Sequence, residues 1–160
     1  MALINPRQVE IGNNCFIRDG ARFEVVNRPN QKPGSLRIGN NVTIEQNVHI
    51  IACDSVVIED EVCITPRCTI VDATHPVGTS NSGNRGRILS DEPTFVKISR
   101  RVFLGANVVI LPNVTIGENS IIGAGSVVSH DIPPNCVAAG SPAKVIRVFD
   151  GDGLSLRNSI

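Results

Sequence analysis

The sequence contains no tryptophan, no tyrosine and only five phenylalanines. A core built almost without rings must be assembled from isoleucine, valine, leucine and alanine, which suits a thin, regular interior better than a broad one. Net charge is also absent: 15 Lys and Arg balance 15 Asp and Glu. Bulk electrostatics therefore recommend neither a nucleic acid nor a membrane surface as partner, and any bound anion must be held by local charge. No apolar run approaches the ~18 residues of a membrane span. The N-terminal MALINPRQVEIGNN lacks the basic and apolar regions of a signal peptide. Five cysteines (Cys15, Cys53, Cys63, Cys68 and Cys136) include no Cys-x-x-Cys pair. That argues against zinc or dithiol chemistry and for small buried thiols in a reducing cytoplasm.

What is present is repetition. Steps of six residues connect Ile11, Ile17 and Phe23, then Ile38, Ile44 and Ile50. After a two-residue slip the same step connects Ile58, Ile64 and Ile70. Beyond a longer break it runs through Ile98, Leu104, Ile110, Ile116, Ile122 and Val128. Four residues after each of these leads stand mainly small or medium side chains, such as Ala21, Val42, Cys68, Val108 and Ser126. Three residues after them Asn or Gly recurs, at 14, 20, 41, 47, 107, 113, 119 and 125. These residue types accept the left-handed backbone of a tight turn.

A helix repeats every ~3.6 residues and a strand every ~2, so neither alone holds a step of six. A short strand followed by a turn does. Three such units close a triangular coil, and coils stack at the ~4.8 Å spacing of paired strands. The sequence thus predicts an all-β parallel β-helix of five coils, 11–28, 38–55, 58–75, 98–115 and 116–133. A β-sandwich would not keep aliphatic residues on one register over so many steps. At 160 residues a single domain is expected over 1–148, with a C-terminal cap at 134–148 and a flexible tail at 149–160. Two segments leave the register, a Pro/Gly-rich loop at 29–37 and a long polar excursion at 76–97. Excursions of that length without structure of their own are commonly functional or disordered.

Of three histidines, His49, His75 and His130, the second stands at the root of the excursion in VDATHPVG. Pro76 confines the residue before it to extended geometry. An imidazole of ordinary pKa ~6.5 suits proton abstraction at neutral pH, although a lone histidine is more often structural.

The stretch ITPRCTIVDATHPVG and the run from VKISRRVFLGAN to GSPAKVIR resemble the hexapeptide-repeat acyltransferases, in particular the maltose- and galactoside-type and polysaccharide O-acetyltransferases. The resemblance implies a left-handed helix, a homotrimer, and acetyl-CoA as donor to a sugar-like hydroxyl, without a metal. It implies that His75 is the general base in a direct transfer. It further implies that Phe103, Gly105, Ala106, Ala124, Ser129, His130, Lys144 and Arg147 contact the cofactor, the last two as phosphate holders. Arg100 and Arg101 are weaker phosphate candidates. Glu45, Asn47, Asp72, Arg85 and Arg87 are expected to bind the acceptor.

Departures are equally specific. The family's VTKD is here Val128-Ser129-His130-Asp131, its VWIG tryptophan is Phe103, and its acceptor-binding Asn aligns with Glu45. The repeats begin at Ile11 with no counterpart of the maltose-type helical N-terminal segment. The resemblance places the site between subunits, with His75 from one and the C-terminal coils from its neighbour. Val25, Val57 and Ile51 are expected on flat faces that pack subunits side by side.

Other readings are less well supported by the residues. Acetyl transfer to an amino-sugar nitrogen is the alternative within the class. A zinc enzyme of the γ-carbonic-anhydrase kind needs a close histidine pair, whereas the spacings here are 26 and 55. A ping-pong enzyme would need a reactive cysteine, and Cys68 falls in an inward column. A non-catalytic scaffold explains the repeats but not the combination of His75-Pro76, the 76–97 excursion and the basic end at Lys144 and Arg147.

Overall fold

The computed structural model describes residues 1–28, 31–75 and 89–149, and the backbone of 156–158. β1 (Ala2–Ile4) and a 3-10 turn at Pro6–Gln8 precede the first full coil. That coil consists of β2 (Val9–Ile11), β3 (Phe16–Ile17) and β4 (Arg22–Val25). The second contains β5 (Ser35–Ile38), β6 (Thr43–Ile44) and β7 (His49–Ala52). The third contains β8 (Ser55–Ile58), β9 (Cys63–Ile64) and β10 (Thr69–Val71). The fourth follows the excursion with β11 (Phe95–Ile98), β12 (Phe103–Leu104) and β13 (Val109–Ile110). The fifth is β14 (Val114–Ile116), β15 (Ile121–Ile122) and β16 (Val127–Val128). β17 (Cys136–Gly140) adds a rung, and β18 (Ala143–Phe149) turns back antiparallel to it. Of the tail expected at 149–160, β19 (Leu156–Asn158) pairs antiparallel with β18, and 150–155 and 159–160 lie outside the described residues.

Each coil places one strand on each of three faces. The first face is β2-β5-β8-β11-β14, the second runs from β3 through β6, β9, β12, β15 and β17, and the third is β1-β4-β7-β10-β13-β16. The six-residue register becomes three ladders. Ile11, Ile38, Ile58, Ile98 and Ile116 pair along the first face. Ile17, Ile44, Ile64, Leu104 and Ile122 pair along the second. Phe23, Ile50, Ile70, Ile110 and Val128 pair along the third. This is the left-handed parallel β-helix expected from the repeats and the resemblance. Nearly all of these side chains are buried, and the exceptions have a reason. Ile11 is 39% exposed and Ile17 half-buried, whereas Phe23 is fully buried. Among the described residues only the third face carries an extra strand below the first coil, with Leu3 of β1 paired to Phe23.

The turns take the left-handed conformation at Asn14, Asn41, Asn47, Asn107, Asn113, Asn119, Gly20 and Gly125. Glu61, Arg67 and Arg101 adopt it as well, at φ near 60°. These residue types do not favour that conformation, so the coil imposes it.

Three expectations about packing need correction. The loop at 29–37 ends earlier, because Ser35, Leu36 and Arg37 belong to β5; the excursion at 76–97 likewise gives up Phe95, Val96 and Lys97 to β11. First-face strands are long enough to bury two alternate residues, so Leu36 and Val96 enter the core below Ile38 and Ile98. Val25 does not face a neighbouring subunit. It points inward with Phe23 from β4 and is fully buried, while Ile51 and Val57 remain half-buried. Among the described residues no helix is long and apolar enough to cross a membrane.

Candidate active site

The third face separates two edges of the prism, and the expected site residues sort onto both. At the closing edge the chain leaves the third face and climbs to the next coil. His75 stands there, exposed, four residues beyond β10. Its approach is stiff. The Thr74 carbonyl, immediately before it, accepts from the Ser90 amide at 2.9 Å. Asp72, expected to bind the acceptor, is instead 0% exposed. Its carboxylate accepts from the amides of Cys53, Asp54 (2.9 Å) and Ser55 (2.8 Å), tying this turn to the one below. Burial pushes the Asp72 carboxyl up, against the pull of those amides. The correction has a simple cause: all three backbone donors of the lower turn point inward, and a buried amide needs an acceptor.

Ser129 and His130 occupy the same closing edge two coils above, joined by a 2.9 Å contact between Ser129 Oγ and His130 Nδ1. They are not beside Gly105 and Ala124, with which they were expected to bind the cofactor. Those lie at the middle edge, between second and third faces. Across the third face the two edges are roughly 15–20 Å apart at ~3.3 Å per residue.

At the middle edge Gly105 is buried and donates to the Ile122 carbonyl at 2.8 Å. A Cβ there would fall 2.6 Å from the Ala124 nitrogen, so only glycine permits this rung spacing. Ala106 and Ala124 present small side chains on successive rungs, with Gly125 donating to the Ala106 carbonyl at 2.8 Å. Phe103, 40% exposed, projects from the second face in a row with Cys63 below and Ile121 and Val137 above. Arg147 lies across from Val137 and Lys144 across from Ala139, both exposed. Small backbone-level residues, an apolar shelf and two cations therefore share one side of the upper prism.

Glu45 and Asn47 stand lower on the same middle edge. Glu45 is engaged by Arg18 at 3.3 Å, and Arg18 stacks over the Phe16 ring at 4.8 Å. Asn47 is exposed in its left-handed turn. Arg85 and Arg87 lie outside the described residues. Arg100 and Arg101 both pair with Glu118, at 3.2 and 2.8 Å. Cys68 is buried, its thiol donates to the Gly105 carbonyl at 3.2 Å, and burial pushes it up, so it packs the corner as an inert thiol. His49 lies on the outer side of the third face, 2.7 Å from Glu24. A broad groove along the remaining edge is lined by Glu10, Arg37, Glu59 and Arg100, and of the expected site residues it includes only Arg100, the weaker phosphate candidate.

One cluster was not anticipated. Arg28 donates to the Ser90 carbonyl and to Asp54, and Asp54 accepts from the Thr94 amide and hydroxyl at 2.9 and 3.0 Å. The only trace in the sequence is positional: Arg28, Asp54 and Thr94 stand at the three breaks of the six-residue register. Burial alone raises the Asp54 carboxyl, but Thr94 and Arg28 together outweigh it and hold it below the usual carboxylate range. A carboxyl whose folded pKa is lowered stabilises the fold above its unfolded pKa, and that contribution is lost as pH falls through the folded value. Asp54→Asn is therefore expected to flatten the acid limb of stability between about pH 5 and pH 2. Thermal melts of both proteins across that range check it; parallel acid limbs would count against the pairing.

Residues 95–130 match the family model described as bacterial transferase hexapeptide (six repeats). The chain is 38% identical over 146 residues to a galactoside O-acetyltransferase of Escherichia coli (strain K12), covering 91% of this chain and 66% of that protein. It is 37% identical over 155 residues to a galactoside O-acetyltransferase of Lactococcus lactis subsp. lactis (strain IL1403), covering 95% and 69%. A solved galactoside acetyltransferase in complex with coenzyme A shares the fold with a TM-score of 0.74 at 33% identity, over 92% of this chain and 68% of that one. The chain thus spans about two thirds of the length of these relatives. Ladders in register from coil to coil, and likeness in sequence and fold over nine tenths of the chain, lead to one conclusion: it belongs to the hexapeptide-repeat acyltransferases, alongside the galactoside O-acetyltransferases.

Proposed function

We propose that this chain transfers an acetyl group from acetyl-CoA to a hydroxyl of a sugar or glycan-type acceptor, in a site shared by two copies of a homotrimer. The acyl donor and the oxygen nucleophile follow the relatives, which are galactoside O-acetyltransferases. The observation that carries the site is the sorting of expected residues onto two edges of the third face. His75 stands at one edge, and Gly105, Ala106, Ala124, Lys144 and Arg147 gather toward the other. A single acetyl-CoA and its acceptor do not bridge a face roughly 15–20 Å wide at their reacting atoms. If three copies turn their third faces toward a common axis, each closing edge meets a neighbour's middle edge. The base of one chain then faces the cofactor shelf of the next.

In that cleft His75 accepts the acceptor's hydroxyl proton as the oxygen attacks the thioester carbonyl carbon. The carbon–sulfur bond breaks as the tetrahedral intermediate collapses, and the imidazolium returns its proton to the departing thiolate. A backbone amide of the neighbouring coil steadies the oxyanion. Lys144 and Arg147 hold CoA phosphates on an otherwise neutral protein. Glu45, already paired to Arg18, and Asn47 lie on the cofactor's edge and contact the acceptor; Ser129 and His130 reach a neighbour's cofactor from the closing edge.

The shared site is tested by co-expressing two inactive chains, His75→Ala and Ala124→Phe. Mixed trimers contain a cleft with both intact edges and are expected to recover acetyl transfer that neither parent shows. Failure of mixed assemblies to regain turnover, or light scattering showing an active monomer, would overturn the shared site.

A further inference from the structure

The three breaks in the repeat register meet in one hydrogen-bonded cluster at the closing edge, and we propose that Arg28 and Asp54 are positioning residues that hold His75 for proton transfer. The inference rests on the reading of His75 as general base. Arg28 ends the first coil, and its side chain is only 8% exposed. Its guanidinium fork binds two acceptors at once, the Ser90 carbonyl and one Asp54 oxygen. The other Asp54 oxygen accepts from both the amide and the hydroxyl of Thr94. Ser90 in turn donates its amide to the Thr74 carbonyl, which belongs to the peptide bond leading into His75. A continuous path therefore runs from Arg28 to the backbone of the base.

The anchor of that path is itself hydrogen-bonded to a buried carboxylate. The Asp54 amide is held at 2.9 Å by the buried Asp72, within the turn below His75. Asp72 directly follows β10, so the segment from Asp72 to His75 is pinned at its start by three amides and near its end by Ser90. Thr94 fixes the point where the chain rejoins the coil ahead of β11. Without Arg28, the Ser90 carbonyl and the Asp54 carboxylate lose a shared donor in a partly buried place, and the Thr74–Ser90 bond loses its backing.

A misplacement of ~1 Å in a reacting group can cost about 100-fold in rate. The loss belongs in kcat, because Gly105, Ala124, Lys144 and Arg147 lie on the other edge and are untouched by the cluster. A cluster that merely staples the fold would lower the melting temperature and leave the surviving folded enzyme with its full kcat.

The test compares steady-state kinetics of Arg28→Met, Arg28→Lys, Thr94→Val and His75→Ala in the full chain, each with a thermal melt. Arg28→Met is expected to lower kcat about 10- to 100-fold with the acetyl-CoA KM within about twofold, and Arg28→Lys to recover part of it. Millimolar ethylguanidinium added to Arg28→Gly is expected to restore activity. Full kcat in folded Arg28→Met overturns the proposal. Should Arg28→Met fail to fold, Thr94→Val decides: a lowered kcat at unchanged KM supports the path, and an unchanged kcat overturns it. The base reading fails separately, through a fully active His75→Ala.

Discussion

Replacing His75 with alanine is expected to lower acetyl transfer by about two to four orders of magnitude while the melting temperature stays close to that of the parent. The side chain is exposed, so truncation removes no core packing. Its backbone is positioned by Asp72 and by the Thr74–Ser90 bond, neither of which involves the imidazole. In the proposed cleft the cofactor is held by Gly105, Ala124, Lys144 and Arg147 of the neighbouring copy, and the imidazole serves the acceptor hydroxyl. Acetyl-CoA affinity should therefore be nearly unchanged, and the loss should appear in kcat. Release of free CoA thiol with a sugar acceptor measures turnover, and calorimetric titration with CoA measures binding. Full turnover in the variant would falsify the assignment of the base. Loss of turnover together with loss of CoA affinity would instead make His75 a binding residue.

Asp72→Ala is expected to have the largest effect on stability, about 3 kcal/mol or more, because three backbone amides lose their acceptor in a buried turn. In a chain of this size that corresponds to a melting temperature lower by about 6–12 °C. The amides of Cys53, Asp54 and Ser55 converge on one carboxylate, and no second acceptor for them is present among the described residues. Asp72→Asn should fall between the two, since one oxygen is kept while the new NH2 meets an amide donor. Thermal unfolding decides the point. A variant melting within a degree or so of the parent would mean that water replaces the carboxylate and that the turn does not depend on it. Activity at low temperature should fall as well, since the same turn leads into His75.

The register of the prism was legible before any coordinates because each lead residue reports its own place inside it. An isoleucine every six residues has few physical explanations, and Ile11, Ile38, Ile58, Ile98 and Ile116 do pair as one ladder despite two insertions and a slip. The Asn and Gly turns were legible for the same local reason. Glu61, Arg67 and Arg101 were not, because there the coil overrides the residue. The six-step count stops at the lead and so leaves Leu36 and Val96 in the loops, whereas a four-residue first-face strand buries a second side chain.

The site divides along the same line. The resemblance to sugar O-acetyltransferases named His75, Gly105, Ala124 and the basic pair from local strings of residues. How those strings sit relative to one another depends on winding, and only the folded prism decides that His75 and Gly105 stand at different edges of the third face. Asp72 moved from an expected acceptor contact to a buried turn, since hydrogen-bond demand from a lower coil cannot be read from its neighbours in sequence. The Arg28 cluster is the extreme case. Its contacts span 26, 40 and 62 residues and arise where the repeat is interrupted. A periodic sequence determines what each step looks like, and the tertiary structure alone decides what the interruptions bring together.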